Sequence, residues 1–141
     1  MKYYLYPGCS AEGSALEYKI STLRVLEALG AEVTELEDWT CCGASAASVQ
    51  SGLLGVTLPA RNLALAEQAD GGGSAESPSD MIAVCSACYT NFRRASQAVS
   101  GDAALLRTVN KALEVEGLTF HNTVRTRHLM DVLPSISRQR R

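Results

Sequence analysis

The chain has 141 residues, of which 46% are hydrophobic and 20% charged, and its formal net charge is -2 at pH 7. This length suits one compact unit, so we expect a single domain over residues 1–141. The small net charge gives no reason to expect nucleic acid or an anionic membrane as a partner. The opening segment, residues 1–8, carries one positive charge and a Pro-Gly pair. It fits neither a signal peptide nor a membrane span, so we expect a cytoplasmic protein.

In the first half of the chain, strand-like and helix-like segments alternate. Residues 3–6 form a β-prone run, and residues 14–29 carry apolar side chains at helical spacing. Residues 31–36 alternate between polar and apolar side chains, which predicts a second strand. The small residues at 43–55 suit a loop or a helix start close to a ligand, and residues 58–69 predict a helix.

The second half continues this alternation after one loop. Segment 70–80, DGGGSAESPSD, has no periodic apolar residue, so we expect a flexible, exposed Gly-rich loop. Pro134 is expected to end the last helical turn, and segment 135–141 is a basic tail, either solvated or docked on an acidic partner. The other predicted elements are strands at 81–84 and 123–126 and helices at 85–99, 102–116 and 128–133. Together they predict an α/β fold with a parallel sheet of about four strands between two helical layers, Rossmann-like or flavodoxin-like.

Five cysteines form the most informative pattern in this sequence. Each follows a predicted strand and precedes a predicted helix, and such positions converge on one edge of a parallel sheet. Reduced thiols near helix starts ionise readily, and thiolates bind soft metals. An odd number of cysteines in a reducing compartment favours metal binding or catalysis over a disulfide framework. The residues concerned are Cys9, Cys41, Cys42, Cys85 and Cys88.

Three simpler interpretations each leave some of the five thiols unexplained: a zinc site, a thioredoxin-like site and simple burial. A structural zinc site commonly uses two CxxC-like pairs, and this chain has one; adjacent cysteines such as Cys41 and Cys42 rarely both bind one ion. A thioredoxin-like site involves Cys85 and Cys88 only. Any single cysteine is plausible as a small buried hydrophobe, but five at strand ends are not. Five thiols suit a multinuclear cluster best.

On these residues the chain resembles a known family. Cys9, then Cys41-Cys42-Gly43, then Cys85-x-x-Cys88 look like the cysteine-rich "CCG" domain in the B-type subunit of heterodisulfide reductase. Relatives of that subunit accompany succinate dehydrogenases, glycolate oxidases and sulfur-oxidising complexes. The gap of 42 residues between Cys42 and Cys85 is slightly longer than the family usually shows, and the excess falls in the Gly-rich loop. The resemblance spans nearly the whole chain, through the segments YYLYPGC, TLRVLEALG, PARNLALAE and VRTRHLMDVL.

The resemblance implies an unusual noncubane 4Fe-4S cluster held by the cysteines. In the reductases, two such clusters lie face to face and cleave a disulfide between two small thiols by successive one-electron transfers. The cluster would be the reactive group, so we expect no further catalytic residue. Gly8 and Gly43, next to cysteines, are expected to donate backbone N–H groups to cluster sulfur. The expected ligands are Cys9, Cys41, Cys42, Cys85 and Cys88.

One departure from the family concerns the number of repeats. The reductase subunit carries two CCG repeats, whereas this sequence has one before its last residue, Arg141. We therefore expect partners: a second CCG-containing chain or a homodimer mate, and an iron-sulfur subunit that donates electrons. The chain would then be an oxidoreductase subunit that needs a partner for activity, cytoplasmic or peripheral to a membrane complex. The alternatives are a non-catalytic electron-transfer or scaffold module, and a structural domain with zinc bound by cysteines.

A few further side chains support weaker hypotheses. Trp39 is expected to pack beneath the cluster loop and Tyr89 to cover it, because apolar shielding tunes a cluster's potential. His121 and His128 are interpreted as surface or packing histidines. Two arginines one turn into the Cys88 helix, Arg93 and Arg94, are interpreted as solvated. The alternatives are an offset of the cluster charge or binding of an anionic substrate.

Overall fold

A four-stranded parallel sheet forms the centre of the computed structural model, which describes residues 1–44, 46–72, 74, 76 and 78–141. The strand order is β2-β1-β3-β4, so the chain moves from β1 to one side and then crosses to the other. The strands are β1 (Lys2–Tyr6), β2 (Glu32–Glu35), β3 (Ser79–Ala83) and β4 (Val124–His128).

Helices connect these strands and cover both faces of the sheet. A short 3₁₀ turn, Glu114–Glu116, follows α6 and ends at Gly117 in the left-handed conformation. The helices are α1 (Gly8–Glu12), α2 (Leu16–Ala28), α3 (Ala46–Gln50), α4 (Gly52–Ala69), α5 (Ser86–Ser100), α6 (Ala103–Leu113) and α7 (Leu129–Gln139).

Two separate cores result from the alternation of side chains along the strands. Tyr4 and Tyr6 of β1 face a core completed by α4, α5 and α6. Tyr3 and Leu5, which point to the opposite face, join a core with α1, α2 and α7. The two central strands, β1 and β3, are therefore buried at nearly every position, whereas the edge strands β2 and β4 keep exposed polar side chains. The predicted three-layer α/β fold with a four-stranded parallel sheet is confirmed.

The small residues between the second strand and the predicted helix at 58–69 are more ordered than a loop. They include α3 and the first turns of α4, which begins at Gly52, six residues before the predicted start. Ser51 caps α4 by accepting a hydrogen bond from Leu54 N–H at 3.3 Å. Such a cap is worth about 1 kcal/mol and accounts for the helix starting there rather than at the first periodic apolar residue.

Segment 70–80, predicted to be a loop, is covered only in part. Residues 73, 75 and 77 lie outside the described residues, and Ser79 and Asp80 already belong to β3, two residues before its predicted start. Asp70 links strands β1 and β3, because its carboxylate accepts hydrogen bonds from Tyr4 of β1 and from Ser79 of β3.

The expectation that Pro134 ends the last helix is wrong. Helix α7 continues through Pro134 to Gln139, so most of segment 135–141 is helical, and Arg140 Nη1 donates to Ala28 O at 3.1 Å. Proline removes one helical hydrogen bond. The helix persists because its apolar face is buried on both sides of the proline, through Leu129, Val132 and Ile136.

None of the helices in the described part of the chain combines the length and the apolar character needed to cross a bilayer.

A buried carboxylate fixes the approach to β4. Glu67 of α4 is 2% exposed, and its two oxygens accept the backbone N–H groups of His121 at 2.9 Å and Thr123 at 2.8 Å. A carboxylate that is buried this way replaces water with protein donors. The turn before β4 is therefore held by a side chain 54 and 56 residues earlier in the chain.

We predict that Glu67→Ala lowers the free energy of unfolding by about 2–4 kcal/mol, because two backbone N–H groups lose their acceptor. Glu67→Gln is the matched control, since its amide oxygen still accepts one bond, and it should lose less. Chemical denaturation of the three chains measures both values. An unfolding free energy of Glu67→Ala equal to that of the unchanged chain would contradict this role.

Candidate metal centre

The ends of three neighbouring strands carry all five cysteines. The doublet Cys41-Cys42 follows β2, and Cys9 follows β1. Cys85 comes two residues after β3 and is the N-cap of α5, and Cys88 lies in the first turn of that helix. Since the strands are parallel and adjacent in the order β2-β1-β3, these segments emerge at the same edge. This is also the crevice between β1 and β3, where the chain changes direction and where ligands bind in such sheets.

The thiols lie next to one another along this edge. Cys42 Sγ is 3.4 Å from Cys88 Sγ, although the two residues are 46 positions apart. Cys85 interacts with Cys88, and Cys9 with Cys41, so the five side chains form a continuous row. All five are free thiols; Cys42 and Cys88 are buried, whereas Cys9 and Cys41 are exposed.

The buried pair differs in acidity. Contact with the Cys88 thiol lowers the pKa of Cys42 to about 6 against the opposing effect of burial, with help from the Ala44 N–H. The same contact, together with burial, raises the pKa of Cys88. For Cys41, the Gly43 N–H acts to lower the pKa, but burial and the neighbouring Cys42 and Cys9 raise it overall. Within the doublet, Cys42 therefore has the lower pKa.

Tyr6 forms the floor of the site. Burial raises the pKa of this phenol, and the nearby thiols of Cys88, Cys42, Cys41 and Cys9 raise it further. Its ring contacts Trp39 edge-to-face at 5.4 Å and Phe92 at 4.7 Å between centroids. These rings shield one side of the thiols from water, and they keep Tyr6 a neutral hydrogen-bond donor.

The loop that carries the doublet has an unusual backbone. Asp38, Gly43 and Ala44 all have positive φ, at 55°, 83° and 28°. At Gly43 a Cβ would lie 2.7 Å from Ala47 Cβ and 3.0 Å from Leu58 Cδ1, so only glycine fits. This turn directs two backbone donors at the sulfurs: Gly43 N–H reaches Cys41 Sγ and Ala44 N–H reaches Cys42 Sγ, each at 3.4 Å.

Three side chains from outside the loop hold it in place. Tyr6 donates its hydroxyl to Thr40 O at 2.7 Å. Asn62 of α4, fully buried, accepts from Thr40 N–H and donates to Thr40 O, both at 2.9 Å. Asn91 of α5 donates to Cys42 O at 2.7 Å. Sequence reasoning missed both asparagines; the available signals were a polar residue on the buried face of α4 and an asparagine three positions after Cys88.

Gly8 makes room on the other side of the row. It has φ of 77°, and a Cβ there would lie 3.5 Å from Cys88 Sγ and 3.4 Å from Tyr6 Cε1. Because glycine has no side chain, the turn from β1 into α1 passes close to the thiols.

The other side chains that the sequence analysis considered lie partly near the cysteine edge and partly away from it. Tyr89 is partly buried against the core, and its ring contacts His128 at 5.6 Å, at the end of β4. His128 therefore lies at the cysteine edge of the sheet, which sequence reasoning did not anticipate. His121 is 63% exposed and lies 3.4 Å from Glu67, on the approach to β4. Arg93 and Arg94 are exposed on α5.

The donor set consists of thiols and backbone N–H groups. Zinc bound to thiolates at about 2.3 Å requires its sulfurs to lie within about 4 Å of one another. A row of five thiols along a sheet edge, with backbone N–H groups directed at two of them, matches the ligand chemistry of an iron-sulfur cluster.

We predict that Gly43→Ala lowers the free energy of unfolding by more than about 1 kcal/mol, because the new methyl group clashes and the backbone has positive φ. Gly52→Ala is the control: no atom lies within 4 Å of its added Cβ and its φ is not positive, so it should be neutral or slightly stabilising. Thermal unfolding compares the two. Equal melting temperatures would show that the doublet turn does not require glycine.

Comparison with known proteins supports a family assignment. The family model of the cysteine-rich domain named CCG matches residues 3–93. The chain is 30% identical over 132 residues to the 8-methylmenaquinol:fumarate reductase membrane anchor subunit of Wolinella succinogenes. It is 27% identical over 134 residues to a protein of Archaeoglobus profundus described as like the B-type subunit of heterodisulfide reductase. Each match covers 94% of this chain but only 43% and 42% of the respective relative.

A solved structure, that of a hypothetical protein from Helicobacter pylori, has the same fold, with a TM-score of 0.74 at 20% identity. The match covers 91% of this chain and 24% of that protein. The family model covers more than half of the chain and includes the doublet and the CxxC pair. The chain belongs to the CCG cysteine-rich domain family.

Proposed function

We propose that this chain is an iron-sulfur subunit of a heterodisulfide reductase-like complex that acts in thiol/disulfide redox chemistry or electron transfer. The proposed cofactor is a 4Fe-4S cluster of the noncubane type, held by Cys9, Cys41, Cys42, Cys85 and Cys88. Family membership supports a redox role in general, because both curated relatives are named as subunits of redox enzymes or as similar to one.

The single observation that carries the proposal is the meeting of the two cysteine motifs. The CCG doublet and the CxxC pair arrive from different strands, and their inner sulfurs lie 3.4 Å apart. A structural role for buried thiols would not require Cys9 and Cys41 to be exposed at the end of the same row. Exposed thiols leave one side of the site accessible to a substrate or to a partner's redox group.

A bound cluster would supply one-electron chemistry at this edge. The protein's own contribution is to hold the sulfurs and to control their surroundings. Gly43 N–H and Ala44 N–H donate to sulfur, and such bonds stabilise negative charge there. Trp39 and Phe92 pack around Tyr6 and keep water from the inner side. Asn62 and Asn91 prevent the doublet from moving away from Cys88.

The proposed partners follow from the relatives. The chain spans less than half the length of the two curated relatives it matches, so the complete activity is proposed to need further polypeptide. We propose a second CCG domain, from another chain or from a homodimer mate, and an iron-sulfur subunit that donates electrons. Since the Wolinella relative is named as a membrane anchor subunit, we extend the proposal to a complex at the periphery of a membrane.

A second candidate is a module that transfers electrons without binding substrate. It is favoured by the single set of CCG cysteines in this sequence, because the disulfide cleavage that the resemblance implies uses two clusters, whereas one cluster suffices to pass an electron. An assay for the reduction of a mixed disulfide of two small thiols distinguishes the candidates. The rate is measured with the chain alone and again with its co-purified subunits. A reductase subunit gains activity with its partners, whereas a transfer module is reduced by a donor but leaves the disulfide intact.

Metal content tests the shared basis of both candidates. We predict about four irons and four sulfides per chain after anaerobic purification, with an EPR signal on reduction or oxidation. One zinc and no sulfide would overturn the proposal. Oxygen removes such clusters, so the purification must exclude air throughout.

Serine substitutions test the individual ligands. We predict that Cys42→Ser and Cys88→Ser each remove most of the bound iron, because a hydroxyl is a poor ligand for soft metal and these thiols form the innermost pair. Val49→Ser is the control: it introduces the same side chain at an exposed position of neighbouring α3, and it should retain the iron. Iron per folded chain is measured beside circular dichroism. Full iron content in both cysteine variants would exclude these two residues as ligands.

A further inference from the structure

The fourth strand of the sheet also ends in a reactive side chain. Sheet order places β4 beside β3, so His128, the last residue of β4, lies beyond Cys85 along the same edge. Its Nε2 is 3.4 Å from Ser86 Oγ. Ser86 directly follows Cys85 inside the CxxC motif, yet neither the fold nor the expected ligand set uses it.

The backbone determines which ring nitrogen of His128 carries the proton. Met130 N–H donates to Nδ1 at 3.2 Å, and His128 thereby caps the start of α7. A nitrogen that accepts a hydrogen bond has no proton, so in the neutral ring the proton is on Nε2. The contact between His128 and Ser86 therefore runs from Nε2–H to the serine oxygen.

This direction leaves the Ser86 hydroxyl proton available. Once its oxygen accepts from His128, the hydroxyl points its own proton elsewhere, and Ser86 adjoins Cys85 at the first position of α5. Tyr89, one turn later, packs edge-to-face on His128 at 5.6 Å and limits the ring's rotation. The pair thus has a fixed polarity, from the Met130 N–H through the imidazole to the hydroxyl of Ser86, which lies inside the CxxC motif.

We propose that Ser86 donates a hydrogen bond to sulfur at the Cys85 end of the metal centre and that His128 is the residue that positions it. The inference rests on the proposed function, since it requires a bound cluster. Reduction adds negative charge to the centre, and a donor favours the more negative state and so raises the reduction potential.

The midpoint potential of the anaerobically loaded chain, followed by EPR or absorbance, tests the proposal. Ser86→Ala should favour the oxidised form about fivefold, a downward shift of ~40 mV at 59 mV per tenfold change for one electron. Ser86→Thr keeps the hydroxyl and should retain the original potential. Iron content should be the same in all three chains.

Two replacements of His128 separate its positioning role from its cap. Asparagine is among the best N-cap residues but is too short to reach Ser86, so His128→Asn should keep its stability and show the downward shift. Glutamine reaches as far as Nε2 but caps poorly. His128→Gln should therefore lose stability and keep the original reduction potential. The double variant Ser86→Ala with His128→Asn should lower the potential no further than Ser86→Ala alone.

The outcomes distinguish this inference from the function on which it rests. If the unchanged chain binds no iron, the proposed function fails and this inference fails with it. If the chain is loaded and Ser86→Ala leaves the potential unchanged, only this inference is overturned. If Ser86→Ala shifts the potential but His128→Asn does not, the positioning role of His128 is overturned. Nitrogen-15 NMR gives a readout independent of the metal: a proton on Nδ1 of His128 would contradict the proposed direction.

Discussion

The parallel direction of all four strands is the constraint on which the site depends. In such a sheet every strand ends at the same edge, and the order β2-β1-β3-β4 lines up the residues that follow each strand. Cysteines separated by long stretches of sequence thereby become neighbours, as the 3.4 Å contact between Cys42 and Cys88 demonstrates. The helices hold this sheet through two apolar cores, so the edge is positioned by the bulk of the domain rather than by the loops themselves.

The sheet alone does not place the doublet, because the segment after β2 is an irregular loop. Its conformation is held by hydrogen bonds from other elements: Tyr6 below, Asn62 of α4 and Asn91 of α5. Each bond goes to a backbone group of the loop, so the loop can keep the positive φ of Gly43 that directs N–H groups at sulfur. The same logic operates at the opposite edge of the sheet, where the strands begin and where Glu67 fixes the turn before β4.

Patterns that repeat along the chain were predictable from the sequence, and single long-range contacts were not. Periodic apolar residues gave the strands and helices, and the strand-then-cysteine pattern gave the shared edge. The prediction that Pro134 ends the last helix was wrong, because the burial of α7 before and after the proline outweighs the loss of one helical hydrogen bond. Asn62 is 22 positions from Thr40, and Ser86 is 42 positions from His128. No local pattern encodes such pairs, and a histidine at a strand end is recognisable only when the strand order is known.

X-ray absorption at the iron and zinc edges of the anaerobically purified chain tests the central claim most directly. It reports the identity of the metal, its ligand atoms and its metal neighbours without depending on substrate or partner. If this row of thiols binds an iron-sulfur cluster, the spectrum should show iron with sulfur as its nearest neighbours and a second iron in the next shell. Zinc with four sulfur neighbours and no metal beyond them would contradict it.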